Sequence, residues 1–420
     1  MGFASTYIEN RALFPEFIKE APEKETGIIV VVPAYDEPGI RTLLDSLLLC
    51  LEPQCKVEVI IVINAPLVTS EESIKNNRIA LKNIESWKRA NKNCFFRLFA
   101  FNISNHSMRD WGVGLARKTG MDEAVRRFNS IDNPDGIILN LDADCRVEKN
   151  YFVSVLDEFS KGKERTACSI YFEHPLSGTD FSQDVYNYIT LYELHLRYYF
   201  QGLAFCDFPY VFHTIGSAMA VKTMRYIKAG GMNRRQAGED FYFIQKLVQA
   251  GGFFSINSTT IYPSPRHSTR VPFGTGASIA RLSHDNMSIL LTYNILAFNE
   301  LRTFFSMADE MFSCKNGDLQ KCYNLFPAGL RLFLAEEDWL NKIMEIKKNT
   351  SGLTSFQKRF FVWFNMFKIV KYLNFVHQGI FEKKPVDVSA SDLLENLGIN
   401  FLSKGPVGLL LEYRMLELKV

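Results

Sequence analysis

From Gly27 to about residue 174 the chain repeats one local alternation, a short unbroken apolar run followed by a longer amphipathic one. The apolar runs are "GIIVVVPAY" (27–35), "KVEVIIVIN" (56–64), "CFFRLFAFN" (94–102), "DGIILNLDADC" (135–145) and "RTACSIYFEH" (165–174). They are rich in β-branched and aromatic residues and show little period-2 polar alternation, as expected of strands buried on both faces. Between them stand helical patterns: "PGIRTLLDSLLLCL" with Pro38 near its start, a charged stretch over 70–92, "GVGLARKTGMDEAVRRF" and "KNYFVSVLDEFS". Strands alternating with helices imply right-handed βαβ units, and these stack into a mainly parallel, doubly wound sheet. The expected class is α/β.

After Pro175 the pattern changes. "DVYNYITLYELHLRYYFQGL" reads as one long aromatic helix and "YVFHTIGSAMAVK" (210–222) as a strand. "GEDFYFIQKLVQAGG" (238–252) follows as a helix closed by glycines, and "FFSINSTTIYP" returns as a strand. From about Ser278 the reading is helical. At 420 residues the chain is long for one core. The expected organisation is an N-terminal extension over 1–26, an α/β domain over 27–277 and a mainly helical C-terminal region over 278–420.

Composition narrows the function classes. The formal net charge is +2 and no dense Lys/Arg run occurs, so nothing recruits nucleic acid. No uncharged apolar stretch reaches about 18 residues, and "MGFASTYIENRALFPEF" lacks the basic start and apolar core of a secretory signal; neither a membrane span nor a leader is expected. Cys50, Cys55, Cys94, Cys145, Cys168, Cys206, Cys314 and Cys322 show no metal-binding spacing, which favours a reducing, cytoplasmic location. "RFFVWFNMFKIVKYLNFVHQGIF" (359–381) is either the packing face of a helical appendage or a peripheral attachment to the inner face of a membrane.

Three polar clusters interrupt this plan. Asp142 and Asp144 end the fourth apolar run. In an extended segment they project to one side, roughly 6–7 Å apart, and carboxylates that close repel unless a cation accompanies them. Open α/β sheets bind ligands at the C-terminal ends of their strands. Mn²⁺ or Mg²⁺ holding a diphosphate suits that place, because such ions take one or two carboxylates plus phosphate oxygens. The other reading is a solvated strand end whose acids cap the next helix. Glu239 and Asp240 open a helix, where the dipole favours the ionised form; they are either a simple acidic turn or a base beside an attacking hydroxyl. "YPSPRHSTRVPFGTG" (262–276) cannot form a regular element and reads as a shaped loop near anionic groups. Tyr192, His195 and Tyr199 share a helical face, a pattern more often core than sugar platform.

Taken in order, "VVVPAYDEPG", "LDADC" and "GEDFYFIQKL" resemble the motifs of the family 2 glycosyltransferases and their relatives with the GT-A fold, over about residues 27–270. The resemblance implies a Rossmann-like sheet and transfer of a sugar from a nucleotide-diphosphate sugar to an acceptor hydroxyl, carbohydrate or lipid-linked. Mn²⁺ or Mg²⁺ is the implied cofactor and inversion the implied outcome, with a retaining enzyme or a non-catalytic binder on the same scaffold as alternatives. It places Pro33, Ala34, Tyr35 and Glu37 along the nucleotide, and Asp142 and Asp144 on ribose and metal. Asn64 stands where such enzymes often set an acidic residue against the base. Arg117 or Lys118 meets phosphate, helped by helix N–H groups, with Asp110 as a possible cap. Asp240 is the base and Glu239 contacts the acceptor or orients its neighbour. His267 completes the metal set, Arg266 and Arg270 clamp the diphosphate or an anionic acceptor, and His213 and Ser217 touch the acceptor. The Gln-x-x-Arg-Trp motif of processive members is missing, which disfavours polymer synthesis coupled to secretion. A sugar nucleotidyltransferase would carry a Gly-rich basic loop after its first strand, where this chain has the acidic "PAYDEPG".

Overall fold

The computed structural model describes residues 2–104, 111–234, 238–266, 289–403 and 405–419. The chain forms two compact units, Met1–Phe181 with Phe212–Ala280 and Ser182–Val211 with Arg281–Val420. The long aromatic helix expected inside the α/β domain therefore groups with the C-terminal helices.

The first unit begins with α1 (Ser5–Arg11) and then alternates: β1 (Thr26–Ala34), α2 (Arg41–Leu48), β2 (Lys56–Ile63), α3 (Glu71–Ala90), β3 (Phe96–Asn102), α4 (Val113–Ser130) and β4 (Ile137–Asn140). It continues through β5 (Arg146–Val147), α5 (Tyr151–Ser160) and β6 (Ala167–Phe172). After α6 (Gln183–Phe205), which belongs to the second unit, come β7 (Met219–Lys222), α7 (Thr223–Lys228), α8 (Glu239–Gln249) and β8 (Phe253–Tyr262). Eight strands form one sheet in the order β3-β2-β1-β4-β7-β6-β8-β5. The first four run parallel, β6 and β8 run parallel to each other, and β7 is antiparallel to both its neighbours. This is the α/β, mainly parallel architecture expected from the alternation.

Direction decides what meets at the rim. The C-terminal ends of β1, β2, β4, β6 and β8 share an edge with the N-terminal end of antiparallel β7. Residues just past 34, 63, 140 and 262, and those just before 219, are therefore delivered to one place although they are far apart in sequence.

Two strands are shorter than expected. β4 stops at Asn140, and the acids beyond it lie in a turn closed by the Cys145 N–H donating to the Asp142 carbonyl at 3.1 Å. The extended alternation assumed for Asp142 and Asp144 does not hold, because the backbone folds back on itself before β5. The run at 210–222 is a strand only over Met219–Lys222.

Residues 14–20 lie along α4. Glu123 accepts the N–H groups of Phe17 and Ile18 at 3.3 and 2.9 Å, and Arg126 and Arg127 donate to the carbonyls of Phe14 and Glu20. Phe17 stacks on Phe101 of β3 at 4.2 Å. This strap explains why α4 is buried nearly all round despite its charged residues.

In the second unit, Glu193 and Arg197 of α6 pair with each other, and with Arg414 and Glu417 of the helix Pro406–Leu418, at 2.6–2.9 Å. The 359–381 segment contributes to two helices, Leu353–Trp363 and Met366–Val376; Phe360, Ile369, Tyr372 and Leu373 of these helices, and Phe364 between them, are buried core. Tyr199 donates to the Met366 sulfur at 3.1 Å, and His195 Nδ1 lies 2.7 Å from the Thr292 hydroxyl, so both are packing residues of this unit. No helix among the described residues is long and apolar enough to cross a membrane.

Burial, reinforced by Lys383, lowers the His195 imidazole pKa to about 4. A base with a depressed folded pKa contributes stability that is whole above its unfolded value and is lost as pH falls toward the folded one. Between about pH 6.5 and 4 the protein is expected to lose about 2 kcal/mol more than His195→Gln, measured by urea unfolding. Parallel pH curves for the two proteins would rule His195 out as the cause.

Candidate active site

Five carboxylates converge on the shared edge: Glu37 from the loop after β1, Asp142 and Asp144 from the turn after β4, and Glu239 and Asp240 from the first turn of α8. Two arginines thread through them. Arg117, in the second turn of α4, donates through Nη2 to Asp142 Oδ1 at 2.6 Å and through Nη1 to Glu239. Arg266, just past β8, donates to Glu37 and sets Nε 2.7 Å from Asp144 Oδ2, a contact outside hydrogen-bond alignment and hence an ion pair by charge alone.

The Arg117 pair is deeply enclosed. Arg117 is 4% exposed and Glu239 1%. Burial by itself would lower the guanidinium pKa, but Asp142, Glu239 and Asp240 outweigh it and hold Arg117 above its ordinary value. The guanidinium packs against bare backbone at residue 216: a Cβ there would sit 2.1 Å from Nη1 and 2.5 Å from Cζ, so any side chain would force the arginine to shift. Lys118, the alternative cation in the sequence, turns to the other side of α4 and pairs with Asp122 at 2.9 Å beside Tyr7.

At the start of α8, Gly238 takes φ 71°, a left-handed conformation that favours glycine. It turns the chain so that Glu239 and Asp240 enter the first helical turn facing the site. Asp240 Oδ2 accepts the Gly216 N–H at 2.9 Å, and Oδ1 accepts the Phe241 N–H at 2.7 Å. Burial pushes the Glu239 carboxyl up to about 7, against the pull of Arg117, and it raises Asp240 as well. The helix dipole, worth about 0.3–1 kcal/mol, does not overcome that desolvation.

The residues expected along a nucleotide occupy the same edge. Pro33 and Ala34 are the last residues of β1, and the Ala34 carbonyl accepts the Asn64 N–H at 2.9 Å. Asn64 is buried; its Nδ2 donates to the Gly112 carbonyl at 2.8 Å, and its Oδ1 has no partner. Tyr35 meets Trp111 edge-on at 5.0 Å and the Thr69 hydroxyl at 2.7 Å, and the Trp111 Nε1–H is likewise buried without a partner. Ser217 is buried beside the Cys145 thiol, whereas His213 stands edge-on to Phe172 at 5.1 Å. His267, Arg270 and Asp110 lie outside the described residues. Gly216 and Trp111 had not been singled out in the sequence. The small-residue run "IGSAM" signals the first; the second carries no local signal.

The donor set suits a hard divalent cation. Asp142 and Asp144 keep 39% and 24% of their side chains exposed, and they stand with Glu37, Glu239, Asp240 and the guanidiniums of Arg117 and Arg266. Among the described residues no three His, Cys, Asp or Glu side chains come together around an ion site. The two aspartates would hold an ion weakly by themselves and more tightly together with phosphate oxygens of a ligand, the usual arrangement for Mg²⁺ and Mn²⁺.

Fold and site together define an α/β protein with an acidic rim at the C-terminal ends of its parallel strands. No protein-family model matches the chain, and no curated relative does. Among solved structures it is similar to S. aureus TarS 1-349 in complex with UDP-GlcNAc, at 14% identity over 79% of this chain and 89% of that one, TM-score 0.41. It spans 36% of a longer TarS chain. It is also similar to the mannosyltransferase PcManGT from Pyrobaculum calidifontis in complex with GDP-Man and Mn²⁺, at 14% identity over 90% and 93% of the two chains, TM-score 0.37. A third is glucosyl-3-phosphoglycerate synthase from Mycobacterium tuberculosis with Mn²⁺, UDP-Glc and phosphoglyceric acid, at 11% identity over 57% and 75%, TM-score 0.32.

Proposed function

We propose that this protein is a metal-dependent glycosyltransferase of the GT-A type, moving a sugar from a nucleotide-diphosphate sugar to an acceptor hydroxyl with inversion. The observation that carries the reading is the convergence of five carboxylates at a parallel-sheet rim, Glu37, Asp142, Asp144, Glu239 and Asp240, with Arg117 and Arg266 among them. Two part-exposed aspartates in such a cluster suit a cation and an anionic ligand bound together.

In this reading Asp142 and Asp144, with His267, hold Mn²⁺ or Mg²⁺. When bound, the ion supplies positive charge to the leaving diphosphate. The base of the nucleotide lies by Ala34, Tyr35 and Trp111. Because the Asn64 amide nitrogen is committed to Gly112, Asn64 offers the base an acceptor, Oδ1, in place of a carboxylate. Asp240 takes the proton of the acceptor hydroxyl; its raised pKa brings it toward the range where a base works best. Glu239, committed to Arg117, positions that arginine and Asp142 instead of meeting the acceptor. Of the two acceptor-side candidates, His213 is the more accessible. A cytoplasmic location and a carbohydrate or lipid-linked acceptor belong to the same proposal.

A screen of nucleotide sugars for slow hydrolysis tests it without knowledge of the acceptor. One donor is expected to be hydrolysed only with Mn²⁺ or Mg²⁺, and Asp144→Ala is expected to abolish that turnover with the fold intact. Calorimetry is expected to show UDP or GDP binding that depends on the metal. Near-normal activity in Asp144→Ala would sink the mechanism, and NMR of the product anomer decides inversion.

A further inference from the structure

The two arginines hold their acids in different ways. Arg117 is 4% exposed, paired with Glu239 of α8 and packed against the Gly216 backbone. Arg266 sits four residues past the end of β8, in a stretch without regular structure, with 27% of its side chain exposed. Its guanidinium reaches Glu37, in the loop after β1, and Asp144, in the turn after β4. It therefore stands against the carboxylate that the proposed reading assigns to the cation. A guanidinium and a divalent ion repel, so each weakens the other's hold on a carboxylate they share, and the arginine with room to move is the one that gives way.

We propose that Arg266 is a displaceable internal counter-ion. It holds Asp144 against Glu37 while no cation is bound, and it leaves Asp144 when a cation arrives. The proposal rests on Asp144 as a cation-holding carboxylate. Its release places a planar, permanently charged fork next to the ligand, and a diphosphate is the anion that such a fork meets best. Two consequences follow from the competition. The bare ion binds only the fraction of molecules whose Arg266 has let go, so its apparent affinity is reduced by that fraction. A nucleoside diphosphate that receives the freed guanidinium tightens the ion, and the ion tightens the nucleotide by the same factor.

The test measures Mn²⁺ binding without nucleotide, by the electron paramagnetic resonance signal of the free ion, in the wild type, Arg266→Gln and Asp144→Asn. If Arg266 is paired at least nine-tenths of the time, Arg266→Gln is expected to bind about tenfold tighter or more, and Asp144→Asn to bind little. Arg266→Lys, which keeps the charge but not the fork, is expected to fall between wild type and Arg266→Gln. Equal or weaker binding by Arg266→Gln, with binding still lost in Asp144→Asn, would overturn the role of Arg266 and leave the carboxylate site standing. Binding indifferent to Asp144→Asn, or absent from every variant, would overturn both. Thermal unfolding guards against a misfolded variant: Arg266→Gln is expected to melt lower than the wild type without Mn²⁺, and Mn²⁺ to raise its Tm by more than it raises that of the wild type. A loss that Mn²⁺ does not restore would mark Arg266 as purely structural and also overturn the proposal.

Discussion

Asp240→Asn is expected to lower turnover by a factor of about 10² to 10⁴, the range for loss of a positioned general base, while the donor nucleotide binds as before. The substitution is not silent structurally. Both oxygens of Asp240 accept a backbone N–H, from Gly216 and from Phe241. Asparagine has one oxygen, so its NH₂ group faces one of those donors, at a cost of about 1–3 kcal/mol in stability. Thermal unfolding separates the two effects, since that loss amounts to a few degrees and leaves most molecules folded. The pH profile adds a second check. A base must be ionised to accept a proton, and burial holds this carboxyl above its ordinary value. In the wild type the rate is therefore expected to rise with pH through a limb displaced upward from the usual carboxylate range, and the limb is expected to vanish in Asp240→Asn. Turnover within threefold of wild type in the folded variant would remove Asp240 from the reaction.

Arg117→Met is expected to destabilise the protein by about 3–5 kcal/mol, the cost of breaking a buried ion pair by removing one partner. Methionine fills much of the same volume, so the loss comes from charge. Asp142 and Glu239 are left facing each other, and Glu239 has almost no access to water. Adding Glu239→Gln to Arg117→Met is expected to recover part of the loss, because an amide at that position carries no charge to be compensated. Urea unfolding of the two single variants and the double variant measures this coupling. A cost below about 1 kcal/mol for Arg117→Met would mean that the guanidinium is not what holds α4 and α8 to the rim.

Much of the rim was legible before any coordinates. The β-branched runs at 27–35 and 56–64 specified buried parallel strands, and parallel strands necessarily point their C-terminal ends one way. Acids written immediately after such runs, Glu37, Asp142 and Asp144, then had to arrive on one edge. The choice between Arg117 and Lys118 was not legible. Adjacent helix residues point about 100° apart, and which one faces the site depends on how α4 is rotated by the strap at residues 14–20 and by Asp122. Nor could the pattern show that β4 stops at Asn140, since Leu141 and Cys145 are as buried and apolar in a turn as they would be in a strand. The aromatic helix α6 reads as amphipathic in any surroundings, and only its partners assign it to the second unit.

By itself the amino-acid order determined most of the elements, the shared direction of the βαβ strands and the acidic character of the rim, because burial and periodicity are written within stretches of about ten residues. The tertiary structure alone decided the pairings: Arg117 with Glu239, 122 residues away, Arg266 with Glu37, 229 residues away, and the bare backbone of Gly216 that makes room for a guanidinium. An ion pair between distant segments leaves no periodic trace in either one. It exists only where the packing of the whole sheet brings the two ends together.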